Sequence, residues 1–196
     1  MTCVLALTVL SALVAVRWHP LVSLDAHAER SAHTLVLSHP NVERAARDVT
    51  QLGDPRTVNL LVLAAAAAAA TRRHWRLALL VIAARLIELG VNALIKSSVA
   101  RPRPQLLHPI THAAGWSFPS GHAAGSAAVY GVIAVVLVRQ ASTRARYAVI
   151  AAISVVVACI AATRVLLGVH YPSDVTGGIL VGLGSVAAAT YVVRAR

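Results

Sequence analysis

The stretch SFPSGHAAGSAAVYGVIAVVLV, residues 117–138, begins with small polar residues and a histidine and continues as a largely apolar run over residues 123–138. A helix needs about 17–25 mostly apolar residues to cross the hydrocarbon core of a bilayer, so this run is close to the length of a membrane span. His122 stands where such a helix would enter the headgroup region. The stretch therefore predicts a transmembrane helix with an ionisable side chain at its mouth.

Similar runs recur along the whole chain. They cover residues 2–16, 57–71, 77–95, 147–163 and 175–193. Of the 196 residues, 58% are hydrophobic and only 13% are charged, which is too apolar for a soluble domain of this size. We predict an all-α fold: a polytopic membrane protein in which a bundle of six transmembrane helices forms a single membrane-embedded domain over residues 1–196.

The first two runs are weaker candidates for membrane spans than the other four. The run over residues 57–71 contains the alanines Ala64 to Ala70, so it depends on helix propensity as much as on hydropathy. The run over residues 2–16 could instead be a signal peptide, because Ala26-His27-Ala28 resembles a cleavage site. A retained anchor is favoured, since no basic residue precedes this run and the cleavage-like site lies far beyond it.

The arginines indicate how the chain is oriented in the membrane. Several of them follow apolar runs in segments without acidic residues: Arg72, Arg73, Arg76, Arg139, Arg144, Arg146, Arg194 and Arg196. Basic loops stay in the cytoplasm, so the segments 17–56, 96–120 and 164–174 are predicted on the outer face. The net charge of +11 is explained by this bias, and no nucleic-acid partner is predicted because aromatic and basic residues do not alternate.

Two polar features lie outside these basic clusters. Glu88 follows Arg85 by three residues within one apolar run, so the two can form an ion pair, which we interpret as structural rather than functional. In the first loop, apolar residues recur at helical spacing between Val42 and Leu52 beside a charged face, and Gly53 can end the helix. This segment predicts an interfacial helix, which either caps a site on the outer face or only packs there.

Three short outer segments carry the polar residues that could perform chemistry. The first is Lys96-Ser97-Ser98-Val99-Ala100-Arg101-Pro102-Arg103-Pro104. Lys96 and the arginines could simply reach toward lipid headgroups. The two X-Pro steps, however, stiffen the chain that carries Arg103, and a fixed guanidinium is suited to bidentate phosphate recognition.

The second segment is Pro119-Ser120-Gly121-His122. It precedes a predicted helix, whose free N–H groups and positive end can hold an anion, and Gly121 permits close approach of the backbone to a ligand. The alternative is that Ser120 only caps the helix and His122 is an ordinary interfacial ring.

The third segment runs from Thr163-Arg164 to His170-Tyr171-Pro172-Ser173-Asp174. If the backbone is helical at His170, Asp174 lies one turn further on and can accept a hydrogen bond from one ring nitrogen. That bond would fix the tautomer and leave the other nitrogen free to attack. Because Pro172 disfavours a regular helix, a turn that brings the two together is equally possible.

Taken together, the three segments resemble the signature of the type 2 phosphatidic acid phosphatase superfamily, K-x6-R-P, P-S-G-H and S-R-x5-H-x3-D. The matching residues are Lys96, Arg103 and Pro104, then Pro119 to His122, then Arg164, His170 and Asp174. Thr163 replaces the usual serine and keeps a hydroxyl. The signature spans residues 96–174, and the family includes lipid phosphatases, glucose 6-phosphatase and soluble haloperoxidases.

The resemblance implies a role for each matching residue. His170 would attack phosphorus and become a phosphohistidine, Asp174 would orient it, and His122 would protonate the leaving oxygen and then activate water. The phosphate would be bound by Lys96, Arg103, Ser120, Gly121 and Arg164. No metal and no cofactor are implied. The remaining outer histidines, His27, His33, His39, His108 and His112, lack the carboxylates or cysteines of a catalytic metal site, and we disfavour His108 with His112 as a ligand pair.

The function predicted from the sequence is hydrolysis of a lipid phosphate or diphosphate monoester at the extracytoplasmic face of a cell membrane. Candidate substrates are polyprenyl diphosphate, phosphatidylglycerol phosphate and phosphatidate. The partners are the substrate and membrane lipids, and no obligate protein partner is evident. The alternative is a non-catalytic membrane protein that binds or transports phospholipid in a retained phosphate pocket. A binder would need the basic residues but not both histidines.

Overall fold

The computed structural model describes residues 2–106 and 110–194, and their regular secondary structure is entirely helical. The helices are α1 Thr2–Ala15, α2 His19–Ser38, α3 Pro40–Thr50, α4 Pro55–Thr71, α5 Trp75–Val99, α6 Gly121–Gln140, α7 Thr143–Leu166 and α8 Pro172–Arg194, with a 3-10 turn at Gln51–Gly53. The all-α prediction is therefore confirmed, and each predicted apolar run coincides with a helix, the first run extending one residue beyond the end of α1.

Fewer helices qualify as membrane spans than the six that the sequence predicts. Among the described residues, four helices are long and apolar enough to cross a bilayer: α5, α6, α7 and α8. Helices α1 and α2 are long and apolar enough only as a pair, and they are bent by 88° at their junction, where Arg17 has a left-handed φ of 52°. Helix α4 is apolar but has only 17 residues. The structure thus has four candidate spans, or five with the bent pair, and the count of six stays a prediction.

Helices α6 and α8 cross closely enough to exclude side chains from the contact. A Cβ atom added to Gly178 would lie 2.5 Å from the carbonyl oxygen of Ser120, and one added to Gly182 would lie 2.5 Å from that of Ala124. Only glycine fits at these positions. The crossing brings the first residues of both helices together, and the Ser120 N–H donates to the Asp174 carbonyl at 2.9 Å.

An apolar core supports this crossing further along the bundle. Its buried members come from four helices: Val58 and Val62 of α4, Leu80, Val81 and Ala84 of α5, Val129 and Val132 of α6, and Val186 and Ala189 of α8. The predicted Arg85–Glu88 ion pair is confirmed and buried. Arg85 Nε also donates to Asn59 Oδ1 at 2.9 Å, so the pair joins α5 to α4. This contact between neighbouring helices agrees with a structural role.

The helix predicted in the first loop is confirmed as α3. It ends at Thr50 rather than at Gly53, which lies in the following 3-10 turn, so our assignment of its end was wrong. Gly53 is required by packing: a Cβ atom there would lie 2.4 Å from Ile160 Cγ2. Helix α3 packs beside α7, and its position at the interface stays a prediction.

Candidate active site

The three outer segments meet at one end of the bundle. His170 lies in the connection between α7 and α8, and Asp174 lies in the first turn of α8. The backbone at His170 is therefore a turn rather than a helix, which Gly168 makes possible with a φ of 70°. Pro172 begins α8, where its missing N–H costs nothing. Of the two conformations considered for this segment, the turn is the correct one.

The Nδ1 side of the His170 ring faces Asp174, whose carboxylate already accepts hydrogen bonds from other donors. His170 Nδ1 is 3.4 Å from Asp174 Oδ2 and 3.4 Å from Ser117 Oγ, both long for a hydrogen bond. Ser117 donates its hydroxyl proton to Asp174 Oδ2, and the backbone N–H of Tyr171 donates to the same oxygen at 2.8 Å. Asp174 therefore carries its negative charge next to Nδ1 while its own position is fixed by other donors.

The Nε2 side of the ring faces Arg103. The Arg103 Nη1 atom is 3.1 Å from His170 Nε2. The guanidinium is held by three backbone carbonyls: Gly115 at 3.0 Å, Ala114 at 3.0 Å and Val169 at 2.7 Å. Because arginine can only donate, Nε2 must accept and the ring proton must be on Nδ1, toward Asp174. Nε2 thus has a free electron pair for attack.

Burial keeps this ring neutral. His170 is only 3% exposed, and its desolvation lowers the pKa of the imidazole to about 4. Asp174 opposes the shift by stabilising the protonated ring, whereas Arg103 and Arg164 add to it by repulsion. At neutral pH the ring is uncharged, which is the state that a nucleophile needs.

Two buried side-chain donors in the segments around the ring make no hydrogen bond with the described residues. Within residues 2–106 and 110–194, the buried Ser120 hydroxyl and the buried Arg164 Nε have no hydrogen-bond partner. Ser120 occupies the N-cap position of α6, but its side chain makes no capping bond, so the interpretation of Ser120 as only a helix cap was wrong. Next to it, a Cβ atom on Gly121 would meet nothing within 4 Å. The Ser120 hydroxyl lies at the N-terminus of α6, where free N–H groups can hold an anion, whereas Arg164 belongs to the last turn of α7.

The other predicted site residues lie close to the same segments. Lys96 Nζ donates to the carbonyls of Trp116 at 2.7 Å and Pro119 at 3.0 Å, so it supports the segment that leads into α6. Arg164 Nη1 donates to Thr50 Oγ1 of α3 at 2.8 Å, which shows that the first loop does reach the site. His122 lies in the first turn of α6, within the electrostatic influence of Arg164, His170 and Arg103.

A second carboxylate stabilises the site from α2. Arg101 bridges two buried acids: Nη1 donates to Asp174 Oδ1 at 2.8 Å and Nη2 donates to Asp25 Oδ2 at 2.8 Å. Asp25 Oδ1 also accepts the N–H of Ser173 at 3.0 Å. The Arg101 guanidinium lies over the Tyr171 ring, 4.0 Å from its centroid. Asp25 therefore reaches His170 indirectly, through Arg101, Ser173 and Asp174.

Sequence analysis did not identify five residues that make these contacts: Ser117, Thr50, Arg101, Ser173 and Asp25. Arg101 and Ser173 lie inside two of the three segments predicted to carry the chemistry, and Ser117 is the first residue of the stretch 117–138. Their positions next to functional residues were a usable signal. Asp25 gave no such signal, because it contacts a residue 148 positions away.

Among the described residues, no three His, Cys, Asp or Glu side chains are grouped as metal ligands would be. His108 lies outside the described residues, so the arrangement of His108 and His112 is not tested.

Comparison with known proteins gives consistent matches. The model of the PAP2 superfamily matches residues 73–196. Phosphatidylglycerophosphatase B of Bacillus subtilis is 30% identical over 156 residues, which cover 78% of this chain and 76% of that protein. Decaprenylphosphoryl-5-phosphoribose phosphatase of Mycobacterium tuberculosis is 31% identical over 160 residues, 78% of this chain and 81% of that protein.

The fold also has a solved counterpart. It is similar to the crystal structure of a transmembrane PAP2 type phosphatidylglycerolphosphate phosphatase from Bacillus subtilis, with a TM-score of 0.83 and 27% sequence identity. The alignment covers 98% of this chain and 96% of that one. The likeness therefore includes the first loop and α1, which lie outside the segment matched by the family model.

Proposed function

Because the chain belongs to the PAP2 superfamily, we propose that it hydrolyses a lipid phosphate or diphosphate monoester through a phosphohistidine formed on His170. It is a multi-pass membrane protein and a phosphatase. The observation that carries the proposal is the hydrogen bond that Arg103 donates to Nε2 of His170, which leaves this nitrogen without a proton. Backbone hydrogen bonds join the same residues to the segments that carry the buried donors Ser120 Oγ and Arg164 Nε: the His170 N–H donates to the Arg164 carbonyl at 3.2 Å, and the Ser120 N–H donates to the Asp174 carbonyl at 2.9 Å.

The first step forms the covalent intermediate. Nε2 attacks phosphorus, and the bond between phosphorus and the lipid oxygen breaks. His122 donates a proton to that oxygen, which leaves as the lipid alcohol or the shorter lipid phosphate. Asp174 stabilises the positive charge that develops on the His170 ring when its nitrogen becomes bonded to phosphorus.

The second step releases phosphate. His122, now neutral, removes a proton from water, the water oxygen bonds to phosphorus and the nitrogen–phosphorus bond breaks. In both steps the charge on the equatorial oxygens is stabilised by Ser120 Oγ, by Arg164 Nε and by the N–H groups at the start of α6. Arg103 transfers its hydrogen bond from Nε2 to the substrate when the nucleophile attacks.

Lys96 has one donor left for the substrate. An ammonium group has three N–H bonds, and two of them point to the carbonyls of Trp116 and Pro119. The third is available to phosphate. This geometry supports the predicted role of Lys96 as a phosphate ligand that also fixes the segment before α6.

The substrate class proposed here is a lipid whose terminal phosphate lies at headgroup depth. The names of the relatives, phosphatidylglycerophosphatase and decaprenylphosphoryl-5-phosphoribose phosphatase, support a glycerophospholipid or a polyprenyl carrier. We place the active site on the extracytoplasmic face, because the arginine-rich segments that predict the cytoplasmic side lie at the other ends of these helices.

The test is to trap the intermediate. Purified protein is mixed with lipid phosphate labelled at phosphorus and quenched without acid, and we expect acid-labile label on the wild type and none on His170→Ala. Substitution of the exposed His19 by alanine is the control and should leave the label unchanged. Label retained on His170→Ala would contradict the assignment. Phosphate release from no substrate of a broad panel would instead favour the non-catalytic lipid-binding alternative.

The role of His122 is tested with two kinds of leaving group. His122→Ala should hydrolyse alkyl lipid phosphates about 1000-fold more slowly, because an alkoxide needs a proton to leave. The loss should be much smaller for an aryl phosphate, whose phenolate leaves without help. Equal losses for the two substrates would show that His122 does not protonate the leaving oxygen.

A further inference from the structure

A cavity opens at the end of the bundle opposite the candidate active site. Its volume is about 790 Å³, and it lies between the turn that joins α4 to α5 and the last turns of α6 and α8. Helix α5 begins here at Trp75 and reaches the active-site end at Val99. At 1.5 Å per residue this helix spans roughly 35 Å, so the cavity cannot share a small ligand with the catalytic residues.

The rim of this cavity is strongly basic. Four arginines from three segments line it: Arg73 and Arg76 at the junction of α4 and α5, Arg139 at the end of α6, and Arg194 at the end of α8. No acidic side chain lines the cavity, and in the part of the chain that the structure describes none of these arginines forms a salt bridge. Four uncompensated charges around one opening repel each other unless an anion lies between them.

The inner wall is apolar. Leu80 is buried at its base, and Val136 and Val193 are half-buried beside it. A free phosphate ion would gain nothing from such a wall, whereas the acyl chain of a lipid would. Trp75 is 61% exposed at the rim, in the position that tryptophan prefers at a membrane interface.

We propose that this arginine cavity binds an anionic phospholipid, with its phosphate among the four arginines and an acyl chain along Leu80, Val136 and Val193. Basic residues at helix ends also orient a membrane protein, but that role requires no convergence on one cavity. Arg144 and Arg146 illustrate the difference, because they have the same charge at the start of α7 and do not line it. Basic pockets between transmembrane helices are suited to anionic headgroups.

Trp75 provides the probe for a direct test. With Trp18 and Trp116 replaced by phenylalanine, Trp75 is the remaining tryptophan. The protein in detergent is titrated with phosphatidylglycerol brominated on its acyl chains, or with the matching phosphatidylcholine, and quenching of Trp75 is measured. We expect saturable quenching by phosphatidylglycerol at concentrations at least about 10-fold lower than for phosphatidylcholine.

Two double variants decide whether the cavity is responsible. Arg73→Gln with Arg139→Gln should weaken phosphatidylglycerol binding about 30-fold, because each removes one contact with the headgroup. Arg144→Gln with Arg146→Gln removes the same charge from the same end and should change binding less than about 2-fold. Equal weakening by both pairs, or equal binding of both lipids, would overturn the proposal. Hydrolysis of a soluble aryl phosphate should be unchanged in both pairs, which confirms that they are folded.

Discussion

The two sides of the candidate site around His170 are built in opposite ways. On the Nδ1 side, Asp174 accepts from Ser117, Tyr171 and Arg101, and Arg101 continues to Asp25, so each polar group has a partner. By contrast, Arg164 Nε and Ser120 Oγ, which belong to the segments that meet around this ring, are buried without partners in the described part of the chain; we call these two donors the unpaired side of the site and the contacts of Asp174 its paired side. A buried donor without a partner costs about 1–3 kcal/mol. The fold thus accepts this cost at two donors that we propose bind the substrate.

The contrast separates two kinds of residue. The paired side fixes the ring and its tautomer before substrate arrives, so changes there should reduce kcat or stability. The unpaired side acquires its partner only from the substrate, so changes there should reduce affinity for phosphate and for the transition state.

The largest effect is expected for Arg164 on the unpaired side. Arg164→Gln should lower kcat/KM about 1000-fold, because a charged donor to the transferring phosphoryl group is lost. Arg164→Lys should restore little, since an ammonium cannot contact Thr50 and phosphate with the fixed spacing of a guanidinium. Steady-state kinetics with a soluble aryl phosphate measures both. Activity of Arg164→Lys within a few fold of wild type would contradict the planar geometry inferred here.

A smaller effect is expected for Asp25 on the paired side. Asp25→Asn removes the outer carboxylate that holds Arg101, and kcat should fall about 10- to 100-fold, as for other groups that orient a reacting side chain indirectly. KM should change little, because Asp25 does not face the phosphate space.

Glu29 provides a matched control for that variant. It lies one turn later on α2 and is also a buried carboxylate, but it does not bind Arg101. Glu29→Gln should leave kcat within about 3-fold of wild type. If both variants lose activity equally, Asp25 only supports α2 and does not position Asp174.

Ser117 and Ser120 form a matched pair from the two sides of the site, since both hydroxyls are fully buried. Ser117→Ala removes a hydrogen bond to a charged oxygen and should destabilise the protein by about 1.5–3 kcal/mol. Ser120→Ala removes a hydroxyl without a partner, so stability should be unchanged while vanadate binds about 10-fold more weakly. Thermal unfolding in detergent and vanadate inhibition give the two readouts. Comparable destabilisation by both changes would remove the distinction between the sides.

The smallest effect at neutral pH concerns the charge of the ring. Since burial lowers the pKa of His170 to about 4, below its usual value near 6.5, the ring should stay neutral as pH falls from 7 to 5 and become protonated only near pH 4. NMR of histidine-labelled protein, with the signal assigned by its loss in His170→Asn, measures this titration. A midpoint above pH 6 would show that Asp174 outweighs burial.

The contact between His170 and Asp174 was predictable because it is locally encoded: the two residues are four apart. The meeting of Ser120 to His122 with them was implied by the resemblance to the superfamily signature, and the chemistry assigned to these residues stays a prediction. The all-α fold followed from hydropathy, which is also encoded locally.

What the sequence did not reveal depends on contacts between distant segments. Asp25 reaches Ser173 only because α2 turns by 88° from α1 and lies across the end of the bundle. The position of Ser120 likewise depends on the α6–α8 crossing, where Gly178 admits the Ser120 carbonyl. No periodicity within one segment carries this information.

The position of Asp174 in α8 also means that the candidate site is completed late in the synthesis of the chain. Helix α2 leaves the ribosome early, and Arg101 follows, but Asp174 belongs to the last helix. Until α8 has entered the membrane and docked against α6, Arg101 lacks one of its two acids and His170 lacks the carboxylate beside Nδ1. A nascent chain that stops before α8 therefore has the arginines and His122 but lacks the carboxylate that orients His170, so under the proposed mechanism unfinished copies should be inactive.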